Sequence, residues 1–324
     1  MSTLAAAPAL ERPAARAATI VNALTIDVED YFQVQALSGR ITRASWESIP
    51  ARVEANTDTI LALFDEAHVR ATFFTLGWIA QRHPVVVRRI VDAGHELASH
   101  GWDHTRADAQ NPAEFRADVG RARRLLEDIG GVPVRGYRAA TFSIGPRNLW
   151  AFAALESEGY RYSSSINPIR HDLYGMPDAP RVPFQPDNGA LWEIPMTTVR
   201  ALGRNFPCAG GGYFRLLPYR VYRFGLNRVH RAERQPGIFY FHPWEVDPGQ
   251  PRVPGLGLKS RVRHYTNLRR MHPRLRRLLA EFAWDRMDRV YANVLSADVI
   301  STDVPDRAQR SALTTAGLHE MGAA

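Results

Sequence analysis

Ile20-Val-Asn-Ala-Leu-Thr-Ile-Asp-Val28 runs straight into Glu29-Asp30-Tyr31. The run is apolar and β-branched, and it reads as a buried strand that ends on carboxylates. What surrounds it decides the fold. Residues 51–67 place Val53, Ile60, Leu61, Leu63, Phe64 and Ala67 at helical spacing. Ala71-Thr-Phe-Phe-Thr-Leu76 is a second strand. Pro84 suits a first helical position, and Gly94 the stop after a helix over 85–93. Residues 95–100 make a third strand. Asn111 caps a helix over 112–129 that closes at Gly130-Gly131. Residues 134–140, 147–158 and 160–165 continue as strand, helix and strand.

This alternation is that of an α/β chain whose parallel βα units pack as a sheet or barrel. In such folds the chemistry gathers at the C-terminal ends of the strands. Asp27, His100, Arg138 and residues 163–165 all fall at or just past those ends.

Beyond residue 165 the alternation is lost. Residues 166–236 are rich in Pro, Gly and aromatics and are expected as loops and short strands. Gly210-Gly-Gly-Tyr-Phe-Arg215 lacks the Lys-Ser/Thr of a phosphate loop and reads as a tight turn. Gly237-Ile-Phe-Tyr-Phe-His242 is a last strong strand, and residues 273–293 read as one amphipathic helix. The resulting organisation has four parts. Residues 1–18 form a disordered leader and 19–250 a catalytic domain that includes the loop-rich 166–236. Residues 251–300 form a basic helical C-terminal extension, and 301–324 a flexible tail.

Composition narrows the function classes. The 324 residues are 45% hydrophobic and 23% charged, as in an ordinary globular protein. No apolar run approaches the ~20 residues of a membrane span. The first residues lack a charged start followed by an apolar core, so a cytoplasmic location is expected. The lone Cys208 excludes an internal disulfide and any multi-cysteine metal site. The net charge is +8, with Lys259 the only lysine. The C-terminal arginines, Arg261 to Arg277, read as a solvated helical face rather than a nucleic-acid surface, and they leave room for a peripheral membrane contact.

Leu97-Ala-Ser-His-Gly-Trp-Asp-His104 sets two imidazoles four residues apart after a strand. Two histidines and a carboxylate can hold one divalent metal and leave positions open for water and substrate. The carboxylate is Glu29 or Asp30. In a regular strand Asp27 and Glu29 share a side while Asp30 points away, but a turn at the strand end would swing Asp30 inward. A further carboxylate beside the water can act as base. Arg138 is placed to orient that base through a bidentate pair. His242, at a strand end on the same rim, can protonate a leaving amine.

Taken together, these residues resemble the polysaccharide deacetylases of the NodB-homology type (carbohydrate esterase family 4). The motifs occur in order: Thr25-Ile-Asp-Val-Glu-Asp30, His100 with His104, residues 138–142, residues 163–168, and the strand-end His242. Asp27-Val-Glu-Asp-Tyr-Phe-Gln33, Gly136-Tyr-Arg-Ala-Ala-Thr-Phe-Ser-Ile144 and Phe239-Tyr-Phe-His-Pro-Trp-Glu245 are similar to the branch found in exosortase-linked exopolysaccharide loci. The resemblance implies a distorted (β/α) barrel with fewer strands than eight. It also implies a metal, usually zinc, bound by His100, His104 and an acidic residue. Asp27 matches the base, Arg138 the base-orienting arginine, and His242 the general acid. Ala140 stands where a proline is common, and Ser163 where this branch tends to carry an aspartate.

The implied activity is removal of N-acetyl groups from amino sugars of a polysaccharide or its lipid-linked precursor. Trp102, Phe142, Tyr213 and Trp244 are candidates for the sugar-binding surface. Two alternatives stand beside it: an amidohydrolase of the same fold acting on small amides, and a non-catalytic glycan-binding scaffold.

Overall fold

The computed structural model describes residues 19–296. The expected leader over 1–18 and tail over 301–324 lie outside the described residues.

Strand β1 (Val21–Val28) is the centre of the sheet. It pairs in parallel with β2 (Thr72–Thr75), β9 (Ile238–Phe241) and β10 (Ala283–Asp285). From β2 the sheet continues through β3 (Glu96–Ser99), β4 (Gly136–Tyr137), β5 (Tyr162–Ser163) and β6 (Trp192–Glu193), every pair parallel. Eight strands therefore make one curled parallel sheet, a half-open (β/α) barrel: of the sheet or barrel that the alternation allows it is the one the resemblance implies, though with more strands. Among the described residues no ladder joins β6 to β9. Single bonds fill that gap: the Cys208 amide donates to the Thr197 carbonyl, and the Tyr240 amide to the Ala209 carbonyl.

Helices α1 (Val53–Glu66), α2 (Gly77–Arg82), α3 (Pro84–Asp92), α4 (Pro112–Gly130) and α5 (Trp150–Ser157) cover the outside of this sheet. Ile60, Leu63 and Phe64 of α1 pack with Leu24, Ile26, Phe73 and Phe241. Phe115, Val119 and Leu126 of α4 pack with Leu97 and Tyr137. The local signals explain the ends of α4. Asn111 accepts from the amides of Ala113 and Glu114, Glu114 answers with a bond from the Asn111 amide, and Gly131 closes the helix at φ 65°.

The second half departs from the sequence reading. Residues 166–236 hold a hairpin, β7 (Thr198–Ala201) with β8 (Arg204–Pro207), and also two helices, α6 (Gly211–Leu216) and α7 (Tyr219–Arg228). The glycines at 210–212 are therefore a helix start, not a tight turn. Gly211 is needed there because a Cβ would meet the Glu245 carboxylate at 2.4 Å.

The helix expected over 273–293 begins earlier and ends earlier, as α9 (Leu268–Glu281), preceded by α8 (Leu258–Tyr265). Met271, Leu275 and Leu278 bury its apolar stripe in the main core. After it the chain turns into β10 and two short helices, α10 (Met287–Val290) and α11 (Ala292–Leu295). A boundary at 250 thus cuts through one fold: the stretch read as an extension completes the sheet and its core. No helix among the described residues is long and apolar enough to cross a membrane.

Candidate active site

The C-terminal ends of β1, β3, β4 and β9 meet around a cavity of about 290 Å³. Asp27 is the penultimate residue of β1, and Glu29 follows the strand after a tight turn in which the Glu29 amide donates to the Asp27 carbonyl at 3.0 Å. Both carboxylates face the cavity and both are buried. Asp30 does not join them. Its carboxylate caps the next turn, accepting from the amides of Tyr31 at 2.8 Å, Arg52 at 2.6 Å and Val53 at 3.0 Å. The alternation of a regular strand holds up to this point, so Asp30 is corrected from candidate ligand to structural cap.

His100 follows β3, and its Nδ1 lies 2.8 Å from the Arg138 carbonyl. That carbonyl accepts the Nδ1 proton and leaves the Nε2 lone pair free. Burial holds the imidazole down at about 4, so it is neutral at physiological pH. His104 reaches back through a turn in which Gly101 (φ 78°) and His104 itself (φ 61°) are left-handed. Asp118 secures this turn by accepting from the Trp102 amide at 3.1 Å.

Ligand atoms of Glu29, His100 and His104 lie within 4.8 Å of one another. Two observations fit this set to a divalent cation. Glu29 Oε2 sits 3.0 Å from His104 Nε2, yet among the described residues no donor is aligned with this buried oxygen. One carboxylate oxygen and two imidazole nitrogens are also a donor set suited to zinc-like ions. Burial opposes charge on Glu29, but the facing imidazoles of His104 and His242 outweigh it and hold the carboxyl at about 2.

Arg138 is fully buried beside Asp27. One terminal nitrogen donates to Asp27 Oδ1 at 2.7 Å and to Thr25 Oγ1 at 2.8 Å, while its Nε donates to the Ser164 carbonyl at 3.1 Å. The contact with Asp27 is therefore single, not bidentate, because the fork is shared between β1 and β5. After Arg138 the backbone turns through Thr141 (φ 55°) and Phe142 (φ 49°), two successive non-glycine residues in the left-handed region.

His242 ends β9. Its Nε2 lies 3.3 Å from Glu29 Oε1 and 4.0 Å from Asp27 Oδ2, and its Nδ1 2.8 Å from Glu245 Oε1. Burial would lower this imidazole, but Glu29, Glu245 and Asp27 outweigh it and raise it to about 9. The Arg215 Nε donates to the other Glu245 oxygen at 2.6 Å. Neither Glu245 nor Arg215 was singled out in the sequence. The available signal was the position of Glu245, three residues after His242 behind a proline.

The four aromatic candidates divide. Phe142 and Tyr213 line the cavity. Trp244 lines it only by an edge, since His242 stacks on one side at 5.1 Å between centroids and His264 at 4.2 Å. Trp102 is absent from the lining. Its ring lies over Gly77, where a Cβ would come within 2.5 Å, and beneath the Arg121 guanidinium. Both tryptophans are corrected from sugar platforms to packing residues, because stacking needs a free ring face. Tyr174, Tyr240 and His171 line the cavity without having been read from the sequence.

Residues 43–162 match the family model of polysaccharide deacetylases. Residues 164–292 match a model described as a domain of unknown function (DUF3473). The two matches meet at β5, inside one sheet. A peptidoglycan deacetylase of Helicobacter pylori is 27% identical over 118 residues, 35% of this chain and 38% of that protein. A chitooligosaccharide deacetylase of Bradyrhizobium sp. is 29% identical over 98 residues, 30% of this chain and 45% of that protein. The matched stretches thus span less than half of either relative. A crystal structure of a provisionally named polysaccharide deacetylase from Mycobacterium smegmatis superposes with a TM-score of 0.58 at 19% identity, over 91% of this chain and 96% of that one. That likeness supports the barrel-type fold.

Proposed function

We propose that the protein is a metal-dependent hydrolase that removes N-acetyl groups from amino sugars of an exopolysaccharide or its lipid-linked precursor. The observation that carries this reading is the clustering of Glu29, His100 and His104 ligand atoms within 4.8 Å, with Asp27 and His242 beside them. Glu29, His100 and His104 would hold a divalent cation, which we assign as zinc on its donor set. When bound, the ion supplies Lewis-acid polarisation and an acidified water.

The chain's own groups do the rest. Asp27 takes a proton from the attacking water at its Oδ2, the oxygen that Arg138 leaves free. Arg138 fixes the rotamer of that carboxylate by bonding Oδ1. His242 carries a proton on Nε2 and delivers it to the departing amine as acetate is released. Glu245 holds the other ring nitrogen and Arg215 holds Glu245. Phe142 and Tyr213 form apolar walls against a pyranose. The names of the relatives, with peptidoglycan and chitooligosaccharide as substrates, favour a glycan over a small amide.

The test is acetate release from a panel of N-acetylated oligosaccharides set against small cyclic and linear amides. Release from the glycans alone is expected. Turnover of the amides alone would replace this substrate assignment with the small-amide one.

A further inference from the structure

Residues 194–232 contain seven arginines and no aspartate or glutamate. This stretch forms the hairpin β7–β8 and the helices α6 and α7, and its outer surface is not purely polar. Leu202 stands at the hairpin tip, 96% exposed and at φ 49°, where asparagine or glycine is favoured. A leucine there has neither burial nor backbone comfort to recommend it. Val199 and Phe206 are cross-strand partners in the hairpin and so share one face. Val199 lies against Gly225 of α7, where a Cβ would meet it at 3.2 Å. The hairpin and α7 are thereby joined, and Phe206, Val221 and Phe224 remain exposed around the junction, Phe224 by 69%. Leu217 and Leu216 carry exposed apolar surface from α7 back to the cavity, which Leu216 lines.

Arginines interleave with these side chains. Arg204, paired with Ala201 on the Val199–Phe206 side of the hairpin, and Arg220 of α7 are exposed and have no carboxylate within ion-pair distance among the described residues, while Arg223 lies 3.9 Å from Glu281. We propose that this face docks on an anionic phospholipid bilayer. The leucine tip and phenylalanines would enter the headgroup–acyl boundary while the guanidinium groups pair with lipid phosphates. The charge pattern alone would also suit nucleic acid, but apolar side chains at a hairpin tip add nothing against a phosphate backbone. Docking in this way sets the cavity mouth, through Leu216, at the membrane surface. That consequence, though not the docking itself, rests on the deacetylase reading and narrows its substrate to a lipid-linked glycan.

The experiment is flotation of the full chain with vesicles of phosphatidylcholine alone or with added phosphatidylglycerol. Binding to the anionic vesicles is expected, weakening as salt rises. Leu202→Asn with Phe224→Ser should weaken it by about tenfold or more, and Arg204→Gln with Arg220→Gln likewise. Leu202→Asn suits the left-handed tip, so folding is preserved. Acetate release from a free oligosaccharide should be unchanged in both sets, which separates failure of the docking from failure of the chemistry. No binding, equal binding to neutral vesicles, or binding indifferent to these substitutions would overturn the proposal. So would a dimer in sedimentation that the Leu202 and Phe224 substitutions dissociate, or duplex DNA binding that the arginine set alone abolishes.

Discussion

Nδ1 of His242 lies 2.8 Å from Oε1 of Glu245, and the opposite oxygen of that buried carboxylate accepts from Arg215. The imidazole that faces Asp27 and Glu29 is thus held from behind by a charged pair. Glu245→Gln should lower kcat by about 10- to 100-fold with little change in KM and bound metal. It also leaves the Arg215 guanidinium buried without its counter-charge, at a cost of about 3–5 kcal/mol. Steady-state acetate release per folded molecule, with a melting curve, separates the two effects. An unchanged kcat would show that His242 needs no partner.

Asp30 and Glu29 are neighbours with opposite duties. Asp30→Ala removes the acceptor of three backbone amides and should cost about 1–3 kcal/mol of stability while metal content stays unchanged. Glu29→Gln should do the reverse, lowering metal occupancy with only a small change in melting temperature. Elemental analysis of both variants after dialysis against limiting zinc checks the pair. Metal loss on Asp30→Ala alone would reverse the assignment.

The first five strands and the helices α1, α3, α4 and α5 were legible because each carries its own signal: an apolar run, a cap, or a proline at the start; α2, one short turn-and-a-half after β2, carries none of these and was not read. Asp27, His100, Arg138 and His242 could be placed on one rim because parallel strands share a polarity. The rest was hidden by long-range contacts. Nothing local tells that residues 283–285 pair with 21–23, or that a glycine run opens a helix against Glu245. Trp102 and Trp244 looked like sugar platforms because composition says nothing about which ring faces are already covered. The site also draws on three stretches: Asp27 and Glu29 before residue 43, His100, His104 and Arg138 within 43–162, and His242, Glu245 and Arg215 within 164–292. The segment matched only as a domain of unknown function therefore supplies one wall of the site.

Glu193 gives a pH dependence of stability. Its Oε1 accepts from the amides of Ser165 and Ile166, but its Oε2 is buried without a donor among the described residues. Burial raises the carboxyl from 4.5 to about 7. The folded state therefore keeps a proton that the unfolded state gives up above about 4.5. Its contribution is complete below that pH and is lost as pH rises through about 7, a change of roughly 3 kcal/mol. Glu193→Gln should flatten this decline, matching the wild type near pH 4 and exceeding it above pH 7 in urea unfolding. Parallel curves for the two proteins would mean that Glu193 is ionised in the fold.

The central claim is that a cation held by Glu29, His100 and His104 works with Asp27 as base. The direct measurement is acetate release from an N-acetylglucosamine oligomer by chelator-stripped protein, before and after zinc is restored, with Asp27→Asn and His104→Ala beside the wild type. The account predicts release that stops on stripping and returns with zinc. It predicts a loss of about 10²- to 10⁴-fold in Asp27→Asn with zinc still bound, and loss of both zinc and release in His104→Ala. Full release by the stripped protein, or by Asp27→Asn, would contradict it.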